Sequence, residues 1–189
     1  MYIFFMHIIS FKGGVLMRQC TLIVVLKPHQ GDTVIDNLVS YTINSPFAEP
    51  DEMQTTYLRE NCNINDMIDD FYQSQREYDM TNHRVMFHFI LTTRVSKDMC
   101  FILNEAAAAL REYFYDLGIQ SAIVPHYGSK TNSLRLHYHA IVNPISTTTH
   151  IRMIDKFGTH QAIVDYLNKH THSQWCWKYH TYKKASNLY

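Results

Sequence analysis

The sequence predicts an α+β fold: a sandwich in which helices pack on one face of a sheet of short antiparallel strands. Three observations carry that reading. Apolar runs with strand and helix spacing follow one another in the order β-α-α-β-α-β-β-α. The last two strands are joined by the short polar segment GSKTNS, a hairpin link rather than the long crossover that a parallel pair needs. The chain has 189 residues, 46% of them hydrophobic, enough for one core with little room for a second.

The elements follow in order. Thr21–Leu26 (TLIVVL) reads as a strand closed by Lys27-Pro28. Thr33–Thr42 has Val34, Ile35, Leu38 and Val39 at helical spacing, with Asp32 or Thr33 as the cap and Ser45-Pro46 as the stop. Asn63–Tyr78 places Ile64, Met67, Ile68, Phe71, Tyr72 and Gln75 on one helical face. His83–Thr93 (HRVMFHFILTT) is the clearest buried strand. Met99–Leu117 is a long helix ended by Gly118. Strands Gln120–Tyr127 and Leu134–Val142 form the hairpin, and a helix covers Thr159–Lys169. Residues 1–20 read as an N-terminal extension, with a translation start near Met17 preferred to an export signal, and 21–189 as one domain.

Composition removes several classes. The charged fraction of 18% and the apolar content exclude wholesale disorder and a coiled coil, and no stretch reaches the roughly 20 apolar residues of a membrane-spanning helix. Cys20, Cys62, Cys100 and Cys176 lack zinc-finger spacing, so they read as reduced thiols of a cytoplasmic protein. Net charge is zero but uneven. Glu49 to Asp79 holds 9 acidic and 2 basic residues, whereas His83 to the end holds 12 basic and 6 acidic residues and 10 of the 12 histidines. That second half suits a phosphate-facing surface, although ordinary scatter would also produce it.

The chemistry concentrates in the hairpin. In His137-Tyr138-His139, alternation turns both imidazoles to one face with Arg135 and Ile141, while Leu136, Tyr138, Ala140 and Val142 face the core. Folding the hairpin about Lys130–Asn132 brings His126 opposite position 137 or 139. Three neutral imidazoles with open positions suit a divalent metal acting on a phosphodiester, and a tyrosine phenol can supply a nucleophile. A histidine-rich edge without metal is the plain alternative.

The His-hydrophobic-His pair on a strand, with a separate tyrosine, resembles the HUH endonucleases, most closely the conjugative relaxases or mobilisation nucleases of plasmids. The match runs over about residues 30–170. VIDNLVSYTINSP is similar to the family's nucleophile helix, NCNINDMIDDFYQSQREY to the next helix, HRVMFHFILTT to an inner strand, and IVPHYGSKTNSLRLHYHAIVNPIS to the motif of one His, then HxH and an Asn. The resemblance implies a five-stranded antiparallel sheet with flanking helices and strand-specific nicking of DNA in mobilisation or conjugation. It also implies a 5′-phosphotyrosine on Tyr41, metal ligands His126, His137 and His139, and a structural place for His88 near the site. Mn2+ or Mg2+ are the family's usual ions, while three imidazoles also suit Zn2+, Co2+ and Ni2+. Implied partners are single-stranded DNA or an origin hairpin and accessory relaxosome proteins, with no membrane.

The chain departs from that pattern at Tyr127-Gly128, where many members carry an acidic residue, and it lacks the expected Lys after the Tyr41 segment. A second resemblance, to rolling-circle replication initiators, makes Tyr166 the nucleophile and Lys169 its partner in a YxxK motif. A third reading is a relaxase-like module that binds DNA without cutting, and a fourth a structural metal-binding domain. Lys130 and Arg135 are the first candidates for phosphate contact, followed by Lys156, Lys178, Lys183 and Lys184. Trp175, Trp177, Tyr179 and Tyr182 would stack on unpaired bases or form a packed C-terminal strand.

Overall fold

The computed structural model describes residues 19–25, 33–60, 62–76, 85–93, 100–128, 136–154 and 156–180. In chain order the elements are β1 (Gln19–Val25), α1 (Val34–Ile43), a 3-10 turn (Pro50–Glu52), β2 (Gln54–Thr56), α2 (Ile64–Gln75), β3 (Phe87–Thr93), α3 (Cys100–Asp116), β4 (Ile119–Tyr127), β5 (Leu136–Ser146), α4 (Phe157–His170) and β6 (Gln174–His180). The sheet order is β2-β4-β5-β3-β1-β6.

The α+β class stands, but the sheet is mixed and six-stranded rather than five-stranded and antiparallel. Two edges make the difference. The short β2 pairs antiparallel with β4 through Gln54 to Thr56. At the other edge β6 runs parallel to β1, in register from Gln19↔Gln174 to Val25↔His180. The aromatic tail is therefore a strand as far as His180, with Trp175 buried. Asn168 closes the turn into it by accepting from Trp175 N at 2.7 Å.

Helices cover both faces, not one. On one face Ile35, Leu38 and Val39 of α1 and Met67 and Phe71 of α2 pack on Ala122, Val124 and Ile141. On the other, Leu103, Ala107 and Leu110 of α3 and Ile163 and Leu167 of α4 pack on Leu22, Phe89, Tyr138, Ala140 and Val142. Covered on both faces, β3, β4 and β5 are buried along nearly their whole length, polar residues such as Ser121 and Asn143 included.

Local signals explain the helix ends. Asn63 caps α2 in a capping box: its side chain accepts from Asp66 N at 3.0 Å, and Asp66 accepts from Asn63 N at 3.1 Å. Thr33 stands at the N-cap of α1, but its hydroxyl accepts from the Asn37 side chain rather than from backbone. Gly118 ends α3 with φ +67°, and a Cβ there would lie 2.0 Å from Thr148 Oγ1.

Candidate metal centre

The site grows from the register of β5 against its neighbours. Antiparallel pairing sets His126 of β4 opposite His137, and Val124 opposite His139. On the other side Ile90 of β3 pairs with His139 and Thr92 with His137. Residues paired across strands share a face, so His126, His137 and His139 project together on the side covered by α1 and α2. Their ring centroids lie 5.3 Å (126–137), 4.3 Å (126–139) and 4.9 Å (137–139) apart. One nitrogen from each lies within 4.8 Å of the others, so the cluster could hold a metal ion. Three donors about 2.1 Å from one ion lie roughly 3.0–3.4 Å apart, so the rings would have to draw together to bind it. His126 and His139 are buried while His137 is half-buried, which leaves the open side of the cluster at His137.

Two further groups orient the rings. His126 Nε2 lies 2.7 Å from the Thr42 carbonyl oxygen. The carbonyl only accepts, so Nε2 carries the proton and the lone pair of His126 is on Nδ1. His139 Nδ1 lies 2.7 Å from Nε2 of the buried His88. When His139 donates this bond from Nδ1, its Nε2 keeps the lone pair for an ion. Such outer partners set tautomer and ring angle in histidine metal sites.

Electrostatics favour the uncharged, ligating form. Burial pushes His139 well below its ordinary value of 6.5, and His88, His126 and His137 around it add to the effect. Burial also lowers His126, against the opposing hydrogen bond to Thr42. Thr42 belongs to the last turn of α1, where carbonyls have no helical partner and the helix dipole is negative, so this end of α1 favours a cation.

Tyr41 is brought to the same place. It projects from α1 at 55% exposure, with its ring 5.6 Å from that of His139 and 6.2 Å from that of His88. Tyr166 is not brought there. It packs with the α3 and α4 core on the opposite face of the sheet, 5.0 Å from Tyr113 and stacked on His170 at 4.0 Å, and Lys169 is exposed on the same helix. Lys130 and Arg135 lie outside the described residues, as do Tyr182, Lys183 and Lys184.

Tyr127, at the position where an acid was expected, is bound to one. Its hydroxyl donates to Glu52 at 2.7 Å, and that bond, helped by burial and the Glu52 charge, pushes the phenol up to about 12. Asn143 is remote in role: it accepts from Gln75 Nε2 at 3.1 Å and donates to Gln120 Oε1 at 2.9 Å, tying α2 to the sheet. Sequence reasoning placed His88 near the site but missed its bond to His139, and it missed the Thr42 carbonyl altogether. A carbonyl belongs to every residue, and only its position in the last helical turn marks it.

Among known proteins, no family model, no curated protein and no solved structure matches this chain. Among the described residues, no helix is long and apolar enough to cross a membrane.

Proposed function

We propose that this protein is a metal-assisted, relaxase-like nuclease that nicks one strand of DNA through Tyr41. The observation that carries the proposal is the placement of an exposed tyrosine ring 5.6 Å from a buried histidine of a three-imidazole cluster. A divalent ion held by His126, His137 and His139 would neutralise phosphate charge and polarise the phosphodiester. Mn2+ or Mg2+ would serve, and the all-nitrogen donor set also suits Zn2+, Co2+ or Ni2+.

The residues then divide the work. His126 and His139, uncharged near neutrality, offer lone pairs and do not repel the ion. His137, half-buried, borders the entry for the scissile phosphate. Tyr41 Oη attacks phosphorus: the Oη–P bond forms, the P–O3′ bond breaks, and the phenolic proton is lost while the 3′ oxygen leaves as the hydroxyl. A later 3′-hydroxyl reverses the exchange and releases Tyr41. This is a transfer without net hydrolysis, suited to DNA mobilisation in which a strand is cut, moved and resealed.

The test uses a labelled single-stranded DNA pool with Mn2+, scored for a covalent protein–DNA adduct on a denaturing gel. The adduct should form with the wild type and with Tyr166→Phe, and should be absent with Tyr41→Phe and with His137→Ala/His139→Ala. Loss with Tyr166→Phe and retention with Tyr41→Phe would replace this reading with the replication-initiator one. DNA binding without any adduct would leave a recognition module.

A further inference from the structure

A second site lies at the far end of the sheet. Nine residue steps along β5 separate His137 from Ser146, about 30 Å of strand. Beyond Ser146 a cavity of about 530 Å³ opens between the end of α3, residues 149–154, Lys156 and the first turns of α4. That is the size of a small-molecule site. Its walls are mostly apolar: Leu117, Ile119, Met153 and Ile154 line it, and Leu117, Ile151 and Ile154 at its edge are exposed at 41%, 70% and 57%. Apolar side chains concentrated this way around one concavity mark a binding surface more than chance exposure does.

The polar groups are few and unequal. Among the described residues Arg152 and Lys156 are the cations that line the cavity and Asp116 is the acid. Arg152 is held in place by a backbone bridge to Ile145, yet its Nε is buried with no hydrogen-bond partner among the described residues. A buried donor left without an acceptor is costly, and a guanidinium more so, because it is desolvated while charged. Burial accordingly lowers the Arg152 guanidinium from its ordinary value. The N-terminal turn of α4 adds to the same field, since Lys156 at its N-cap makes no side-chain capping bond and Gly158 and Thr159 line the cavity.

We infer that this cavity binds a small organic anion, its apolar body against Leu117, Met153 and Ile154 and its anionic oxygens on Arg152 and Lys156. The inference is independent of the proposed nuclease. An anionic head would pair with the accessible end of the Arg152 guanidinium and with Lys156, and the apolar body covers the exposed rim.

The probe is 8-anilinonaphthalene-1-sulfonate, compared with its uncharged analogue N-phenyl-1-naphthylamine, both titrated with chelator present so that no metal contributes. Two variants are made. Arg152→Met keeps the apolar stem and removes the charge. Gly158→Leu adds a side chain at a cavity-lining position where an added Cβ meets nothing within 4 Å. The sulfonate should bind with one-to-one saturation and at least tenfold more tightly than the neutral analogue. Each variant should weaken it at least tenfold while melting at or above the wild-type temperature. Equal binding of the two probes, unchanged binding by Arg152→Met, or a lower melting temperature for Arg152→Met would overturn the inference, the last because it would give Arg152 a structural role.

Discussion

Tyr41 and His88 both stand beside the histidine cluster, and the roles proposed for them can be tested separately. Tyr41 is exposed on α1, so Tyr41→Phe should leave stability within about 0.5 kcal/mol of wild type, as for most surface changes. Denaturant unfolding of the variant checks that, and the same preparation should form no DNA adduct. His88 is buried and bonded to His139. His88→Leu removes that partner and should weaken metal binding by roughly 10–100-fold, the usual cost of losing an orienting partner. His88→Gln, whose amide can occupy the Nε2 position with an acceptor, should recover part of the loss. Calorimetric titration with Zn2+ or Co2+ measures both, and equal affinities in Leu, Gln and wild type would remove His88 from the site.

At the scale of elements, the sheet and α2 are joined by a buried amide network. Asn143 is fully buried and contacts Gln75, Gln120 and Ser74, and accepts from Ile145 N at 3.1 Å. Asn143→Leu breaks those bonds and takes the acceptor from Ile145 N, while Gln75 keeps the Val85 carbonyl and Ser74 keeps Gln120, so it should cost about 2 kcal/mol, within the range for lost buried hydrogen bonds. Chemical unfolding reads this directly, and metal affinity should change much less, since Asn143 is not among the histidines. The hairpin is the element most legible in the sequence. Alternation alone puts His137 and His139 together, and the turn signals bring His126 opposite. The edge strands were less legible. β2 has three residues, too few for a period to show. The alternation of Trp175, Trp177 and Tyr179 with Cys176, Lys178 and His180 marks β6 as a strand, but not which strand it joins or in which direction.

The whole molecule should respond to acid through its buried imidazoles. In the unfolded chain these histidines have the ordinary value of 6.5, and in the fold His126 and His139 lie below it. Below about pH 6.5 the unfolded chain therefore binds more protons than the fold, and stability is lost as pH falls. The metal-free melting temperature should be level from pH 8 to 7 and decline from pH 6.5 to 5, a trend thermal scans would expose or contradict. Added Zn2+ should raise the melting temperature at pH 7.5 by mass action and much less at pH 5, where protons compete for the same nitrogens.

Local periodicity and turn chemistry were enough to read the α+β class, the helices, the hairpin and a cluster of His126 with His137 and His139. The register and the packing came from contacts distant in the chain. They put helices on both faces, set β6 parallel to β1, turned the Thr42 carbonyl of α1 toward His126, and separated Tyr41 from Tyr166 by the thickness of the sheet. Those outcomes depend on which apolar surfaces meet across long stretches of chain. Two tyrosines on amphipathic helices have the same local pattern, and only packing places one beside the histidines and the other against Tyr113.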